Sequence, residues 1–193
     1  IPTLSYTEAM EMSHFGAKVI YPPTIQPALN KGIPIYIKNT FNPSFSGTLI
    51  HKDHDTRFRS TIKGISSLSN LSLLRLQGSG MMGVPGVSGR LFTALGKEKI
   101  NVILITQASS EHSICLAVSE KEYKKAVAAI TEEFEKEIED GLIESVKCET
   151  DLCVVAVVGE EMRNVPGVAG RLLHALEHQV QRRRCNPAQH GGG

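Results

Sequence analysis

The chain has 193 residues, of which 21 are Lys or Arg and 20 are Asp or Glu, so its formal net charge is +1. Hydrophobic residues make up 41%, a globular balance that permits one good core or two small ones. The near-zero charge, the absence of Trp and the 5% share of aromatic residues disfavour a dedicated nucleic-acid-binding protein. No apolar run approaches the roughly 20 residues that a membrane-spanning helix needs. We therefore expect neither a nucleic-acid partner nor a membrane.

The first residues of the chain and its cysteines indicate the cellular compartment of the protein. The first residues carry no signal core, and since the sequence does not begin with Met, we expect a piece of a longer chain. Cys115 and Cys153 lie in apolar runs typical of strands, and neither they nor Cys148 and Cys185 form a CxxC pair. This favours buried, reduced thiols over disulfides or a metal site. The sequence thus predicts a cytoplasmic protein.

The first 60 residues predict short elements separated by turns. Residues 6–14 are typical of a helix capped by Thr7, and the two prolines after Tyr21 predict an extended turn. Three short elements follow: a helix over 24–30 and strands over 33–38 and 48–50. The remainder of 39–60 is rich in Asn, Pro, Ser, Gly and charge, which predicts a loop.

From residue 62 the pattern alternates between strands and helices. Apolar runs predict strands over 62–65, 71–76, 101–106, 114–118 and 143–147. The strand over 101–106 is almost wholly apolar, so we expect both its faces to be covered. One predicted helix ends at Gly96 and carries on one face Val87, Leu91, Ala94 and Leu95, and a longer one spans 121–140. The order β-α-β-β-α-β from Leu71 predicts an α+β, ferredoxin-like fold, with two helices on one face of a four-stranded antiparallel sheet.

The pattern then restarts. Residues 84–95 recur as residues 165–176, with nine of twelve positions identical 81 residues apart, and an apolar strand precedes each copy. This predicts an internal repeat of the whole βαββαβ unit. The second copy runs into a sequence without a strand pattern. We therefore expect a truncated second repeat followed by a non-native or disordered tail over 178–193, whose Arg182–Arg184 cluster is solvated.

The glycine loop before the first repeated helix suggests two kinds of site. Gly78, Gly80 and Gly83 formally match the GxGxxG pattern of a nucleotide-binding oxidoreductase. Three observations disfavour it. No acidic residue ends the next strand, a hairpin follows where a crossover helix is expected, and the second repeat keeps neither Gly80 nor Gly83.

The same loop could instead bind an amino acid. A glycine loop that enters a helix exposes N–H groups suited to a carboxylate. The side-chain amides of Asn101 and Gln107, at the two ends of the next strand, could hold an ammonium or hydroxyl group. The alternative, that the glycines only permit close packing and Gln107 is a turn residue, stays open at this point.

Two other groups of residues give only weak evidence for a site. His51 and His54, interleaved with acidic residues, resemble metal ligands, but their surroundings predict a solvated loop without a second ligand cluster. His112 and Ser113 lack an acid partner in the order that a hydrolytic triad needs. We expect neither a metal site nor a catalytic triad.

Eight segments together resemble one family. Residues 5–20, 22–25, 33–41 and 47–50 are similar to the end of the catalytic domain of the aspartate kinases. Residues 78–81, 83–86, 101–114 and 157–162 are similar to the paired ACT regulatory domains of that family, and most closely to the branch of the bifunctional aspartokinase/homoserine dehydrogenases. The resemblance covers about residues 1–177. It implies the C-terminal piece of an α/β amino-acid kinase domain with a linker over 1–60, an ACT domain over 61–150 and a partial second ACT domain over 151–177.

The resemblance implies a regulatory segment rather than a complete enzyme. The family phosphorylates the β-carboxylate of L-aspartate with Mg-ATP, the first step towards lysine, threonine, methionine and isoleucine. Its N-terminal Lys-Phe-Gly-Gly phosphate-binding segment is absent from this sequence, so we expect no catalytic residue, no cofactor and no activity in this segment alone. ACT domains bind an end-product amino acid, often at a subunit interface. This implies a homo-oligomer formed through the ACT domains and the rest of the kinase as a further partner. Because an effector acts by linkage between two regions, the segment over 39–60 that joins them is a candidate hinge.

The resemblance also implies where the effector lies. It places the amino acid between the glycine loop and the strand over 101–106. The expected effector-binding residues are Met81, Gly83, Val84, Gly86, Asn101, Val102, Ile105 and Gln107. Gln107 matches a glutamine similar to the threonine-sensing one of the bifunctional enzymes, whereas Ile103 stands where lysine-sensing relatives carry an acidic residue. Because a buried ammonium without a partner is costly, we expect threonine rather than lysine.

Overall fold

The computed structural model describes residues 1–17, 19–52, 61–107 and 112–184, with the side chains of all of these except 163 and 178–184. The described chain forms seven strands and six α-helices in two compact units. The first unit comprises residues 1–66 and the chain from 156 onward, and the second comprises residues 67–155. No helix in the described ranges is long and apolar enough to cross a membrane.

The first unit contains a three-stranded sheet in the order β1-β3-β2. Its strands are β1 (Thr3–Ser5), β2 (Ile35–Ile37) and β3 (Thr48–His51), with β1 parallel and β2 antiparallel to β3. Two helices lie between β1 and β2 in the chain, α1 (Tyr6–His14) and α2 (Pro22–Lys31). A small core joins these elements, formed by Leu4, Tyr6, Ala9, Ile25 and Ile50.

The starts of both helices differ from the sequence prediction. Ser5, not Thr7, caps α1: the Glu8 N–H donates to Ser5 Oγ at 3.0 Å, and the Ser5 N–H donates to Glu8 Oε2 at 3.0 Å, which is a capping box. The expected extended turn is also wrong, because Pro22 and Pro23 occupy the first two positions of α2. A helix start has no intrahelical use for the N–H groups that proline lacks.

The second unit confirms the ferredoxin-like α+β fold. Four strands form a sheet in the order β5-β6-β4-β7: β4 (Gly64–Gln77), β5 (Val102–Gln107), β6 (Ser113–Ser119) and β7 (Lys147–Val158). The helices of this unit are α3 (Val87–Lys97), α4 (Tyr123–Glu133) and α5 (Glu135–Glu139). The core between helices and sheet has fully buried side chains, among them Leu74, Leu76, Leu91, Leu95, Leu116, Ile130 and Phe134.

Several predicted elements have other bounds. The strands expected over 62–65 and 71–76 are one strand, β4, and the strand expected over 143–147 begins only at Lys147. The helix expected over 121–140 is divided at Phe134, which leaves helical geometry with its ring fully buried. Gly96 lies inside α3 instead of ending it. Tertiary packing determines where these elements begin and end. A local hydrophobic periodicity carries no information on that packing.

The strand over 101–106 was expected to be covered on both faces, and this is wrong. β5 is an edge strand of the sheet, and its residues from Leu104 to Gln107 are exposed, with Ile105 at 51%. Among the expected buried thiols, Cys115 and Cys148 are half-buried and Cys153 is exposed, all without a disulfide, and Cys185 lies outside the described residues. An apolar run shows that a strand is hydrophobic, but not which neighbours cover it.

The internal repeat extends to the backbone conformation. Gly86 and Gly167, 81 residues apart, have φ angles of 88° and 82°. Asn70 within β4 and Asp151 within β7, also 81 residues apart, have φ angles of 60° and 57°, which are rare for residues other than glycine. Each long strand therefore has an irregular backbone at the same point of the repeat.

The first copy is inserted in the chain between two parts of the unit that contains the second copy. In the first unit the Lys63 N–H donates to Val158 O at 2.8 Å. The bond related to it by the 81-residue period lies in the second unit, where the Glu144 N–H donates to Gln77 O at 2.7 Å. Residues 1–66 are thus grouped with the chain from residue 156 onward, whereas residues 67–155 form the other unit. The sequence suggested two consecutive copies, whereas the structure inserts the first copy into the unit of the second.

The second copy ends in α6 (Val168–Arg184). Residues 178–184 of the expected disordered tail are therefore helical, and 185–193 lie outside the described residues. The domain bounds at 60, 150 and 177 stay predictions, although the first and second fall near the points where the chain passes between units.

Candidate functional site

In the second unit a cavity of about 330 Å³ lies where α3 begins and β5 ends. Its lining residues are Met81, Gly83, Val84, Pro85, Gly86, Val87, Ser88, Gln107 and Ile114. Met81, Val87 and Ile114 are buried and belong to the core, so they give the cavity an apolar floor. The exposed glycines and Gln107 form its rim.

The start of α3 supplies one polar wall. Gly86 is the N-cap residue in left-handed conformation, which glycine adopts without strain. No side chain caps this helix, and its first turn carries no acidic residue. The first turn therefore presents backbone N–H groups with partial positive charge, an arrangement that suits a carboxylate.

The end of β5 supplies the opposite wall. The register with β6 pairs Gln107 with Ile114 and Ile105 with Leu116. Since Ile114 and Leu116 belong to the core between sheet and helices, Gln107 lies on the face that carries α3. The Ser88 hydroxyl of α3 donates to Gln107 Oε1 at 3.4 Å. The cavity thus joins a helix start suited to an anion with a neutral side-chain amide.

The structure brings together five of the eight predicted effector-binding residues. Met81, Gly83, Val84, Gly86 and Gln107 line the cavity. Asn101 does not, because it precedes β5 and lies about 20 Å from Gln107 along an extended strand. Val102 packs against the core, and Ile105 is exposed on the same sheet face as Gln107 without reaching the cavity.

Four lining residues were missed by the sequence reasoning. Pro85 and Val87 belong to the repeated motif itself, and Ile114 follows only from the strand register. Ser88 carried a signal that could have found it: it is one of the three positions at which the two copies of the motif differ, with Ala169 in the second copy. A polar residue at that point of one copy alone indicates a role beyond the fold.

Gly78 and Gly80 serve packing rather than nucleotide binding. A Cβ atom at Gly78 would lie 2.2 Å from Leu142 O and 2.5 Å from Ile143 Cα. The Gly80 N–H donates to the same Leu142 carbonyl at 2.9 Å. The glycine loop is therefore pressed against the chain that follows α5, and the ferredoxin-like sheet disfavours the oxidoreductase alternative.

The corresponding loop of the second copy has acidic surroundings. In the first unit the Glu160 N–H donates to Glu8 Oε1 at 3.1 Å, and Glu8 is only 3% exposed. A cavity of about 220 Å³ beside this contact is lined by Glu8, Glu11 and Glu160 among other residues. These carboxylate side chains disfavour binding of a ligand carboxylate through charge repulsion. The two copies of the loop therefore do not offer equivalent sites for an amino acid.

Other reactive groups do not form a site within the described residues. No three or more His, Cys, Asp or Glu side chains of this part of the chain are placed to share a metal ion. His51 lies in β3, while its predicted companion His54 lies outside the described residues. Burial, with a contribution from Glu149, raises the pKa of the Cys148 thiol, which lowers its thiolate fraction.

Comparison with known proteins shows which family the chain resembles. Residues 74–134 match the family model described as "ACT domain". The chain is 41% identical over 180 residues to bifunctional aspartokinase/homoserine dehydrogenase 1, chloroplastic, of Arabidopsis thaliana, covering 91% of this chain and 20% of that protein. It is 44% identical over 177 residues to the bifunctional aspartokinase/homoserine dehydrogenase of Haemophilus influenzae, covering 91% and 22%. The chain therefore spans about a fifth of these relatives.

Solved structures of aspartate kinases have a fold similar to that of this chain. The aspartate kinase of Clostridium acetobutylicum aligns with a TM-score of 0.80 at 27% identity, covering 92% of this chain and 40% of that one. E. coli aspartokinase III in complex with aspartate and ADP aligns with a TM-score of 0.72 at 25% identity, covering 92% and 38%. The same enzyme in complex with lysine and aspartate gives 0.62 at 28% identity, covering 82% and 34%.

Proposed function

Because the chain is a homologue of the aspartate kinases and carries an ACT domain, we propose that it is the regulatory segment of such a kinase and binds L-threonine as a feedback effector. The whole enzyme would transfer a phosphoryl group from Mg-ATP to L-aspartate, with the rest of the kinase supplying the catalytic groups. In this proposal the segment itself has no cofactor and is inactive alone. A cytoplasmic location stays a prediction, and the Arabidopsis relatives are named as chloroplastic.

One observation carries the proposal: the fold brings the uncapped start of α3 and the Gln107 amide to one cavity. A free amino acid is a zwitterion whose carboxylate suits the helix start. Its side chain can then face the Gln107 amide, which hydrogen-bonds well to a hydroxyl. The cavity volume of about 330 Å³ lies at the small end of ligand pockets, as expected for an amino acid.

Threonine is favoured over lysine by the charge of the lining. E. coli aspartokinase III has been solved with lysine, so lysine is the main alternative. No Asp or Glu side chain lines the cavity within the described residues, and Ile103 stands at the position of the expected acidic partner. An ε-ammonium placed there would lose water without gaining a carboxylate.

The proposal is tested by calorimetric titration of the chain with L-threonine, L-lysine, L-methionine, L-aspartate, ATP and NAD. We expect threonine to bind most tightly. Gln107→Ala should weaken the binding of threonine about tenfold, since it removes one hydrogen bond from a largely apolar cavity. Gln26→Ala, on the exposed face of α2, is the matched control and should leave the affinity unchanged. Unchanged affinity in Gln107→Ala, or tighter binding of lysine or NAD, would contradict the proposal.

The exposed edge of the sheet supports a homo-oligomer. β5 is an edge strand, and Leu104 and Ile105 on it are 40% and 51% exposed. An apolar strand edge that stayed open would expose both apolar side chains and backbone hydrogen-bonding groups. We propose that a second copy of the chain covers it, beside the effector cavity.

Effector binding would then inhibit the kinase by linkage. The effector must bind one arrangement of the ACT and kinase parts better than another, and such coupling is typically about 1–3 kcal/mol. The hinge expected over 39–60 is described only as far as residue 52.

A further inference from the structure

Glu8 lies buried between helix α1 and the loop of the second copy, residues 159–164. Both elements belong to the first unit, and Glu8 is only 3% exposed. One carboxylate oxygen, Oε2, accepts the Ser5 N–H at 3.0 Å within the capping box of α1. The other oxygen, Oε1, accepts the Glu160 N–H at 3.1 Å, across 152 residues of chain. The carboxylate therefore bonds to two different elements.

The first copy forms the corresponding loop without a contact of this kind. In the second copy a Cβ atom at Gly159 would lie 2.3 Å from Thr61 O. At the positions related by the 81-residue period, Gly78 approaches Leu142 O in the same way. The packing that shapes the loop is thus common to both copies. The contact with α1 is an addition in the second copy, since the first copy does not need it to form the loop.

The surroundings of the Glu8 carboxylate indicate a role beyond capping. It borders the cavity of about 220 Å³ together with Glu11 and Glu160, and no Lys or Arg side chain is among the described residues that line this cavity. Burying a carboxylate is costly unless hydrogen bonds compensate, and here two backbone N–H groups supply them. A capping box uses one oxygen of its glutamate and does not require the side chain to be buried. The burial and the second oxygen serve the attachment to the loop.

We propose that Glu8 is a positioning residue that attaches the loop of the second copy to α1, and that regulation reaches the kinase through this attachment. α1 lies within residues 5–20, which resemble the end of the catalytic domain of the aspartate kinases. Feedback inhibition requires contacts that differ between two arrangements of the regulatory and catalytic parts. A buried side chain that bonds to both elements can be engaged in one arrangement and released in the other. The inference rests on the proposed function and deepens it, because it names the regulatory contact.

The test uses Glu8→Gln, which keeps the size of the side chain but offers one oxygen to two N–H donors. Two control variants match it. Ser5→Ala removes the hydroxyl of the capping box and leaves both carboxylate oxygens of Glu8 in place. Glu11→Gln makes the same change of charge at an exposed residue beside the same cavity.

In the whole kinase, phosphoryl transfer is measured at increasing concentrations of L-threonine. We expect Glu8→Gln to raise the threonine concentration for half-maximal inhibition about fivefold or more, the lower end of typical coupling, and to retain the activity without threonine. Calorimetry on the 193-residue chain should give an unchanged dissociation constant for threonine. Ser5→Ala and Glu11→Gln should be inhibited like the wild-type enzyme. Wild-type inhibition of Glu8→Gln, or an equal loss of inhibition in Ser5→Ala, would overturn the inference.

Hydrogen exchange of the 193-residue chain tests the attachment without any effector. Glu8→Gln should speed exchange about three- to tenfold in both α1 and residues 160–164, the range of one net hydrogen bond, whereas Ser5→Ala should speed it in α1 alone. Unchanged exchange of residues 160–164 in Glu8→Gln would overturn the inference. A wild-type kinase that threonine does not inhibit would contradict the proposed function instead, and the exchange result would still decide the inference.

Discussion

Gly78 shows how one residue determines whether the loop before α3 can form. Its φ angle of 168° is open to any residue, so the requirement for glycine comes from space alone. A Cβ atom there would meet backbone atoms of Leu142 and Ile143, which cannot move as a side chain can. Because the loop carries Met81 and Gly83 into the cavity, this close approach also positions the site.

Gly78→Ala should therefore lower the free energy of unfolding by about 2 kcal/mol or more, the cost of overpacking against backbone. Gly89→Ala is the matched control: it lies in α3 with nothing within 4 Å of the added Cβ, and it should raise stability by about 0.5–1 kcal/mol through helix propensity. Urea denaturation of the three proteins measures both effects. Equal stabilities for Gly78→Ala and the wild-type chain would refute the close approach.

Local sequence contains the cause of part of the cavity lining, and the effector-binding residues themselves stay predictions. The glycine loop and the start of α3 follow from the motif, and Gln107 follows from the strand that ends beside it. Asn101 does not line this cavity, because the two ends of a strand cannot reach one cavity. Ser88 was missed because its contact with Gln107 spans 19 residues of chain and depends on how α3 lies on the sheet.

At the scale of elements, Arg90 joins α3 to the helices that follow β6. Its guanidinium donates from Nε to Glu133 Oε1 at 2.8 Å and from Nη2 to Glu133 O at 2.7 Å, and it is also paired with Glu137. It lies 4.5 Å from the centroid of the Phe134 ring, which is fully buried at the break between α4 and α5. This contact lies at the point where the predicted single helix is divided.

The Arg90 pair predicts a pH-dependent contribution to stability. The hydrogen bond from Arg90 lowers the pKa of Glu137 below its ordinary 4.5, so the folded chain binds fewer protons than the unfolded chain. The stabilisation is therefore complete above about pH 4.5 and is lost as the pH falls through the folded pKa. Arg90→Met should cost about 1–2 kcal/mol at pH 7, since this partly exposed guanidinium provides ion pairs and a cation–π contact.

Denaturation of the wild-type chain and Arg90→Met between pH 7 and pH 3 measures this contribution. The difference in unfolding free energy should shrink below about pH 4.5. Lys125→Met is the control: its pair with Glu98 is 58% and 44% exposed, so its loss should change stability by less than about 0.5 kcal/mol. A difference that stays constant with pH would show that Glu137 does not contribute through its charge.

Element types were predictable here more often than their bounds. The apolar face of α3 was confirmed in full, because Val87, Leu91, Ala94 and Leu95 are all buried. β5 was predicted as a strand but with the wrong environment, since the place of a strand in a sheet depends on pairing partners far away in sequence. The same reason explains why two short predicted runs are one strand, β4.

At the scale of the whole molecule, the repeat was visible in the sequence but the insertion of the first copy was not. Identity at a fixed period predicts two similar units, and it contains no information on which unit the strand before the first copy joins. The hydrogen bond from the Lys63 N–H to Val158 O shows that this strand pairs with the second copy. The chain therefore passes between the two units twice.

Assembly is predicted at this scale as well. Leu104→Lys places a charge on the exposed edge of β5, so it should shift the chain from dimer towards monomer in sedimentation equilibrium. Phe41→Lys is the control, because Phe41 is 97% exposed and lies far along the sequence in another unit. We expect the dissociation constant of the dimer to rise about tenfold or more for Leu104→Lys alone. An equal effect of both substitutions would locate the interface elsewhere.

The most direct test of the account is to map the amide resonances of the ¹⁵N-labelled chain during titration with L-threonine. We predict that the largest shifts occur at residues 83, 84, 86–88 and 107, where the start of α3 meets the end of β5. Shifts confined to the loop over 159–167, or none at saturating threonine, would contradict the proposed effector site.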